Sequence, residues 1–275
     1  MSENAEQPSS AKIAIDWFDA RLSAAVEVID DEMDKYRISE ALMAVYKLFW
    51  DEFSSWYLEM VKPAYQQPID VQTYNATLKF FEKLTLMLHP FMPFITEEVW
   101  QSVADRKPGE SIMVARMPKA ENKNEKLAAD FETVKNIIAG VRSVRLERNI
   151  PNKETVVLNI VSGNQDDAYN AVIIKMCNLE SFERAEKNAT AASFMVGTTE
   201  YAIPLGGMIN VEEEIKKMEG EIKYLQGFLN SVMKKLSNEK FVANAKLEIV
   251  ENERKKQVDA ESKINILRES ISKLK

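Results

Sequence analysis

Apolar residues recur along most of this chain at three- and four-residue spacing, the period of amphipathic helices. Residues 11–35 carry Ile13, Ile15, Trp17, Phe18, Leu22, Val26, Ile29 and Met33 in that rhythm and predict a first helix. A second runs from Arg37 to Lys62, stopped by Pro63. At about 100° per residue, Ile38, Leu42, Val45, Phe49, Phe53, Trp56 and Met60 form its core stripe, with Tyr46, Trp50 and Tyr57 on the flank. A third helix, from about Val71 to Leu88, presents Tyr74, Leu78, Phe81, Leu84 and Leu88 on one side, and Pro90 ends it. In HPFMPFITEEVW, residues 89–100, Pro90 and Pro93 form a rigid apolar elbow before a short fourth helix that Thr96 would cap. Four helices with short links predict an antiparallel bundle. Residues 107–120 read as an irregular exit with one extended piece, Ile112–Ala115.

A long amphipathic helix follows over 123–147, with Leu127, Phe131, Val134, Ile138 and Val141 inward and Arg142, Arg145 and Arg148 on another face. After Pro151 the texture changes. Thr155–Val161 is β-branched and reads as a strand, Asp166–Asn178 as a helix, and Ser181–Ala185, Ser193–Val196 and Glu200–Pro204 as further strands. From Ile209 the pattern becomes strict. Val211, Ile215, Met218, Ile222, Leu225, Leu229, Val232 and Leu236 alternate by four and three, a coiled-coil seam. Val250, Ala260, Ile264, Leu267, Ile271 and Leu274 continue the register, with Glu253 and Gln257 in the remaining core slots. Facing pairs such as Val211 with Leu274, Met218 with Leu267 and Leu236 with Val250 close symmetrically about one point, as an antiparallel hairpin requires. Its tip lies around Ser237–Leu247, and each helix would reach about 40 Å. The fold class is therefore mainly α: an antiparallel helical bundle (13–120) after a loose leader (1–12), a small α+β junction domain (121–208), and a C-terminal antiparallel two-helix coiled coil (209–275).

Composition narrows the chemistry by subtraction. One cysteine, Cys177, leaves no intramolecular disulfide or cysteine-based zinc site and fits a reducing cytoplasm. One histidine, His89, leaves no histidine metal cluster, and His89 itself reads as an elbow residue bonded locally. None of the eight glycines forms a phosphate-cradling loop. No stretch approaches the roughly 20 apolar residues of a membrane span. No catalytic group and no metal site is expected, so binding or architecture leads. The net charge is −7, yet residues 209–275 alone carry a net of +2. Lys234, Lys235, Lys240, Arg254, Lys255 and Lys256 crowd the distal end of the arm, where they could meet RNA phosphates. Gly220 and Gly227, seven residues apart on its outer side, either admit a partner to the backbone or are simply tolerated.

At this point a family resemblance enters. The runs YRISEALMAVYKLFWDEFSSWYLEMVKP (36–63), LHPFMPFITEEVWQ (88–101) and VRSVRLERNIP (141–151), with LSNEKFVANA (236–245), make the chain resemble the C-terminal half of the valyl-tRNA synthetases from about Ile13 onward. Isoleucyl- and leucyl-type relatives share the bundle and an approximate HPFMPF elbow. The terminal two-helix arm and the lack of cysteine pairs point to the valyl branch. The family's catalytic core, with its HIGH-like and KMSKS-like signatures, and its editing domain have no counterpart here; with a single histidine, HIGH cannot be present. The resemblance implies an anticodon-binding bundle, a junction and a tRNA-binding arm of a valine–tRNA ligase. The partners are then valine tRNA and the missing N-terminal catalytic and editing domains of the same polypeptide. ATP belongs to that missing half, with no cofactor here. A monomer in the cytoplasm, with no membrane contact, completes the expectation.

Reading an anticodon requires splayed bases stacked on aromatic rings. Tyr46, Trp50 and Tyr57 fit that need, with Arg37 or Lys47 on a phosphate; the alternative is that these rings pack against neighbouring helices. Arg142, Arg145 and Arg148 either meet RNA backbone or make a salt-bridged face with Glu147 and nearby acids. The competing reading of the whole chain is a coiled-coil scaffold on a helical base that binds no RNA.

Overall fold

The computed structural model describes residues 5–122, 124–186, 191–205, 211–237 and 247–274. They fall into two compact units, Met1–Pro204 and Leu205–Lys275, and the architecture is mainly helical with one small sheet.

In the first unit, α1 (Ser9–Asp34) begins earlier than its apolar rhythm, inside the expected leader. Ala11 and Ala14 are buried there, small side chains that let neighbouring backbone close in. Trp17, Phe18, Leu22, Val26 and Ile29 follow at helical spacing and all point inward. The chain turns at Tyr36, whose φ is +58°. It then climbs through α2 (Ile38–Tyr46), a segment with i→i+5 hydrogen bonding (Lys47–Tyr57) and α3 (Leu58–Val61) up to Pro63. The Asp70 side chain accepts the Thr73 amide at 2.8 Å and starts α4 (Val71–Leu88). Thr73, Phe80, Leu84 and Met87 form its inner side, while Tyr74, Leu78 and Phe81 are half-buried. Rings from α1, α4 and the i→i+5 segment meet at one point: Phe18 lies 5.0 to 5.3 Å from Phe53, Tyr57 and Phe80.

Two local expectations change. The helix α5 (Pro93–Val103) opens on Pro93 rather than Thr96, because the first helical position needs no amide donor. Thr96 instead lies inside the first turn, bonded to the Met92 carbonyl and to His89 Nδ1, both at 2.7 Å. Ile112–Val114 is a 3₁₀ turn rather than an extended piece. Glu97 Oε2 accepts from Ser111 Oγ at 2.7 Å and from the Ile112 amide at 3.1 Å, which tightens the turn and seats Ile112 in the core.

The helix α6 (Glu125–Glu147) buries Phe131, Val134, Ile138 and Val141, as its spacing predicts. Phe131 stacks on Trp17 at 4.5 Å, so this helix packs on α1 as well as on the sheet. The sheet contains β1 (Val156–Ser162), β2 (Leu179–Arg184), β3 (Ala191–Val196) and β4 (Thr199–Pro204) in the order β2-β1-β4-β3. β1 and β2 are parallel, joined across α7 (Asn170–Cys177); β4 is antiparallel to both β1 and β3. Gly197, with φ +58°, makes the two-residue turn between β3 and β4. Lys175 of α7 donates to the carbonyls of Met60 and Lys62 at 2.6 and 2.8 Å, a cation placed on the end of α3, where the helix dipole favours it.

The second unit consists of α8 (Val211–Leu236) and α9 (Leu247–Leu274), which pack on one another. Val232, Val250, Ala260, Ile264 and Ile271 are buried between them, all of them predicted seam positions.

Candidate nucleic-acid interface

The aromatic run on the second helix divides into a core half and a surface half, at a different place from the one the helical wheel predicts. From α2 into the start of the i→i+5 segment, Ala41, Val45 and Leu48 are buried at spacings of four and three. The next buried residues are Phe53, five positions on, and Tyr57, four further. The wide turn accounts for the slip: the Leu58 amide bonds to the Phe53 carbonyl, and Ser55 Oγ donates to the Trp50 carbonyl at 2.8 Å, each spanning five residues. Each such turn holds more residues than an α-helical one. A wheel drawn at 100° per residue therefore loses register through this segment.

The consequence for the ring candidates is direct. Tyr57 is 0% exposed. Its ring stacks on Phe53 at 5.3 Å and meets Phe80 edge-on at 5.4 Å, and its hydroxyl pairs with Thr77 Oγ1 at 2.8 Å. Burial pushes its phenol pKa up to about 12. Tyr57 is thus a core residue and is withdrawn as a base-stacking ring. Trp50 is 60% exposed and Tyr46 53%. With Met43, Leu42 and the exposed Lys47, they form a surface strip at i, i+3 and i+4 spacing. Phe49 and Trp56 are half-buried: Phe49 meets Phe53 and Phe81, and Trp56 meets Phe131. Arg37 precedes α2 and lies 3.6 Å from Glu32.

The arginines of α6 separate in the same way. Arg142 is exposed, with its guanidinium 5.7 Å from the Trp56 ring. Arg145 is only 4% exposed. Its guanidinium donates to the carbonyls of Pro151, Glu154 and Cys177 at 2.9 Å and of Asn178 at 3.3 Å. Burial pulls its pKa down, while Cys177 and Glu154 oppose that shift. Arg145 is therefore a pin between α6, the 151–154 turn and the end of α7, enclosed where an RNA phosphate does not reach it. Cys177 beside it is buried, and its thiol is pushed up to about 12. Arg142, Arg145 and Lys175 are the cations lining an open recess of about 670 Å³, together with Asn149, Pro151, Met176 and Asn178.

On the arm, Lys234, Arg254 and Lys255 are exposed. Lys240 lies outside the described residues. Lys235 and Lys256 bracket the Glu253 carboxylate at 3.5 and 2.8 Å. Glu253, at a position the apolar period predicts for the seam, has its side chain 8% exposed. The hydrogen bond from Lys256, joined by the charge of Lys235, holds its pKa below the usual carboxylate value. Those two lysines are therefore partly committed to the Glu253 carboxylate. Two exposed rings escaped the sequence reading: Tyr224, 74% exposed, and Phe228 beside it. Their signal was available, since both lie off the predicted seam.

Among the described residues, no group of three or more His, Cys, Asp or Glu side chains could hold a metal, and no helix is long and apolar enough to cross a membrane. What the surface offers is exposed flat rings and exposed cations, a chemistry for binding.

Comparison with known proteins matches residues 16–161 to the anticodon-binding domain of tRNA ligase and residues 210–275 to the valyl tRNA synthetase tRNA binding arm. A valine–tRNA ligase of Parabacteroides distasonis is 58% identical over 269 residues, which cover 98% of this chain and 31% of that protein. One from Porphyromonas gingivalis is 51% identical over 275 residues, 99% of this chain and 31% of that protein. One from Geobacter sulfurreducens is 32% identical over 272 residues, 94% and 31% respectively. The chain thus spans about a third of the length of the curated relatives it matches.

Proposed function

Since the chain belongs to the family of anticodon-binding domains of tRNA ligases, we propose that it recognises valine tRNA as the C-terminal part of a valine–tRNA ligase. The bundle reads the anticodon and the arm grips the RNA elsewhere. The observation that carries the reading is the strip of Tyr46, Trp50 and Lys47 on the wide-turn helix. Two rings that a folded chain leaves in water, next to a cation, suit unstacked bases and their phosphates. Arg37 and Arg142 supply further backbone contacts on the first unit, and Lys234, Arg254 and Lys255 on the second.

Valine specificity is supported by the names of the relatives and by the arm match. In this reading α8 and α9 form an antiparallel coiled coil with Glu253 as a polar seam residue that sets register. The bundle covers 13–120, the junction 121–208 and the arm 209–275. Adenylate formation, valine transfer and editing, and with them ATP, belong to the catalytic and editing domains of the longer relatives. The working protein is a cytoplasmic monomer.

The test is a titration of valine tRNA against a tRNA with a mismatched anticodon, with and without residues 209–275. The full chain should prefer valine tRNA, and the shortened chain should bind more weakly but keep the preference. Equal binding of both tRNAs by the full chain would overturn anticodon reading. Affinity that does not fall with salt would favour a scaffold, because several phosphate contacts make it fall steeply.

A further inference from the structure

We propose that the outward face of α8 holds a flat nucleobase of the bound RNA against Tyr224, with Lys216, Lys223 and Lys234 on the flanking phosphates. The inference rests on the reading of the chain as an RNA binder and deepens it by naming a second stacking site, on the arm.

Helix geometry carries the first part. At about 100° per residue, Lys216, Gly220, Lys223, Tyr224, Gly227 and Lys234 share a sector about 100° wide. The seam residues Ile222, Leu225, Leu229 and Val232 lie on the opposite side of the helix, and Val232 is buried. Between 216 and 235 no carboxylate enters this sector; Glu219 and Glu221 sit about 100° to either side of Gly220. From Lys216 to Lys235 an acidic protein thus carries a helix sector whose charges are all cations.

The ring and its surroundings carry the second part. Tyr224 is 74% exposed, and Phe228 one turn on is 40% exposed. Gly220 and Gly227 are the immediate helical neighbours of Tyr224, four before and three after. A Cβ at either would meet nothing within 4 Å, so a planar group can slide beside the ring down to the backbone on both sides. Glycine is the poorest helix former after proline, and nothing in the packing of α8 requires it at these positions. Exposed rings between cations are the chemistry of base stacking with phosphate contact. A second copy of the chain is disfavoured as the occupant, since two such faces would oppose lysine to lysine.

The experiment titrates the full chain with valine tRNA across a salt series, following arm helicity by circular dichroism. Y224A should weaken binding roughly 5- to 100-fold, the range of one lost base stack. It should leave the slope of log affinity against log salt unchanged, because a ring releases no counterions. Y224F should bind like the unaltered chain and Y224L like Y224A, since stacking needs the ring and not the hydroxyl. K216A, K223A and K234A should each flatten the slope by about 0.7 to 0.9. Filling the slot with G220A/G227A should raise arm helicity and weaken binding. Y224A or G220A/G227A binding as tightly as the unaltered chain would overturn the inference while leaving tRNA recognition intact. So would a Y224A effect matched by a change of oligomeric state in sedimentation. An unaltered chain without tRNA affinity would overturn both.

Discussion

Tyr57 and Trp50 lie seven residues apart on one helix and should respond to substitution in opposite ways. Tyr57 contacts three core rings at 5.0 to 5.4 Å and is fully enclosed. Removing it as Tyr57→Ala should cost about 3–5 kcal/mol, the usual range for deleting a buried aromatic ring. Tyr57→Phe keeps the ring and removes only the hydroxyl bond to Thr77. Thr77 Oγ1 still donates to the Thr73 carbonyl at 2.8 Å, so no donor is stranded and the cost should be about 1 kcal/mol. Trp50→Ala lies on the surface and should change stability by no more than about 0.5 kcal/mol. It should nonetheless weaken valine tRNA binding by about 1–3 kcal/mol, the value of one stacked base. Urea unfolding measures the first quantity and tRNA titration the second. The reasoning fails if Tyr57→Phe lowers tRNA affinity tenfold without moving the unfolding midpoint, or if Trp50→Ala behaves as a core mutation. Alkali gives a further check. A phenol whose folded pKa is raised stabilises fully below about pH 10, the unfolded value, and that stability is lost as pH rises to about 12. The loss should be about 2–3 kcal/mol and should disappear in Tyr57→Phe.

Gly140→Ala places a Cβ 2.3 Å from the Phe194 ring, so the ring must swing aside or α6 must move off β3, and the midpoint should fall by an amount corresponding to about 1–3 kcal/mol; the second change Phe194→Leu should restore part of it. Arg145→Met should destabilise the first unit by about 3 kcal/mol, because the carbonyls of Pro151, Glu154, Cys177 and Asn178 lose their shared donor, yet should leave the salt slope of tRNA binding unchanged. Glu253 has a lowered folded pKa, so its contribution to the arm is present above the unfolded value and lost as pH falls through the folded one. Thermal melts of the full chain between pH 7 and pH 3 should show that acid sensitivity, reduced in Glu253→Gln.

Which parts of the fold were legible follows from the range of the forces that set them. Pro63 stops α3, Pro90 follows the end of α4 and the β-branched run after Pro151 becomes β1, each through chemistry confined to a few neighbouring residues. The inner face of α6 was legible too, because that helix is regular and Phe131, Val134, Ile138 and Val141 hold their spacing throughout. The candidate site was legible only in part. The helical angles place Tyr46, Trp50 and Tyr57 alike on the flank of the stripe, and the structure exposes the first two but buries Tyr57, because a few i→i+5 turns rotate everything beyond them. Arg145 was misassigned for another reason: its partners lie 6 to 33 residues away and are backbone carbonyls, which no side-chain pattern advertises.

The sequence by itself determined most element types and limits, the apolar positions Val232, Val250, Ala260, Ile264 and Ile271 that the last two helices bury, and the family, because propensity, proline stops and apolar period act locally and survive without a partner. Only the tertiary structure decided which residues of those elements remain free to bind. Burial is a property of what packs against a side chain. The aromatic cluster of Phe18, Phe53 and Phe80 claims Tyr57, the carbonyls around Pro151 and Asn178 claim Arg145, and the open space beside Gly220 and Gly227 leaves Tyr224 to the solvent.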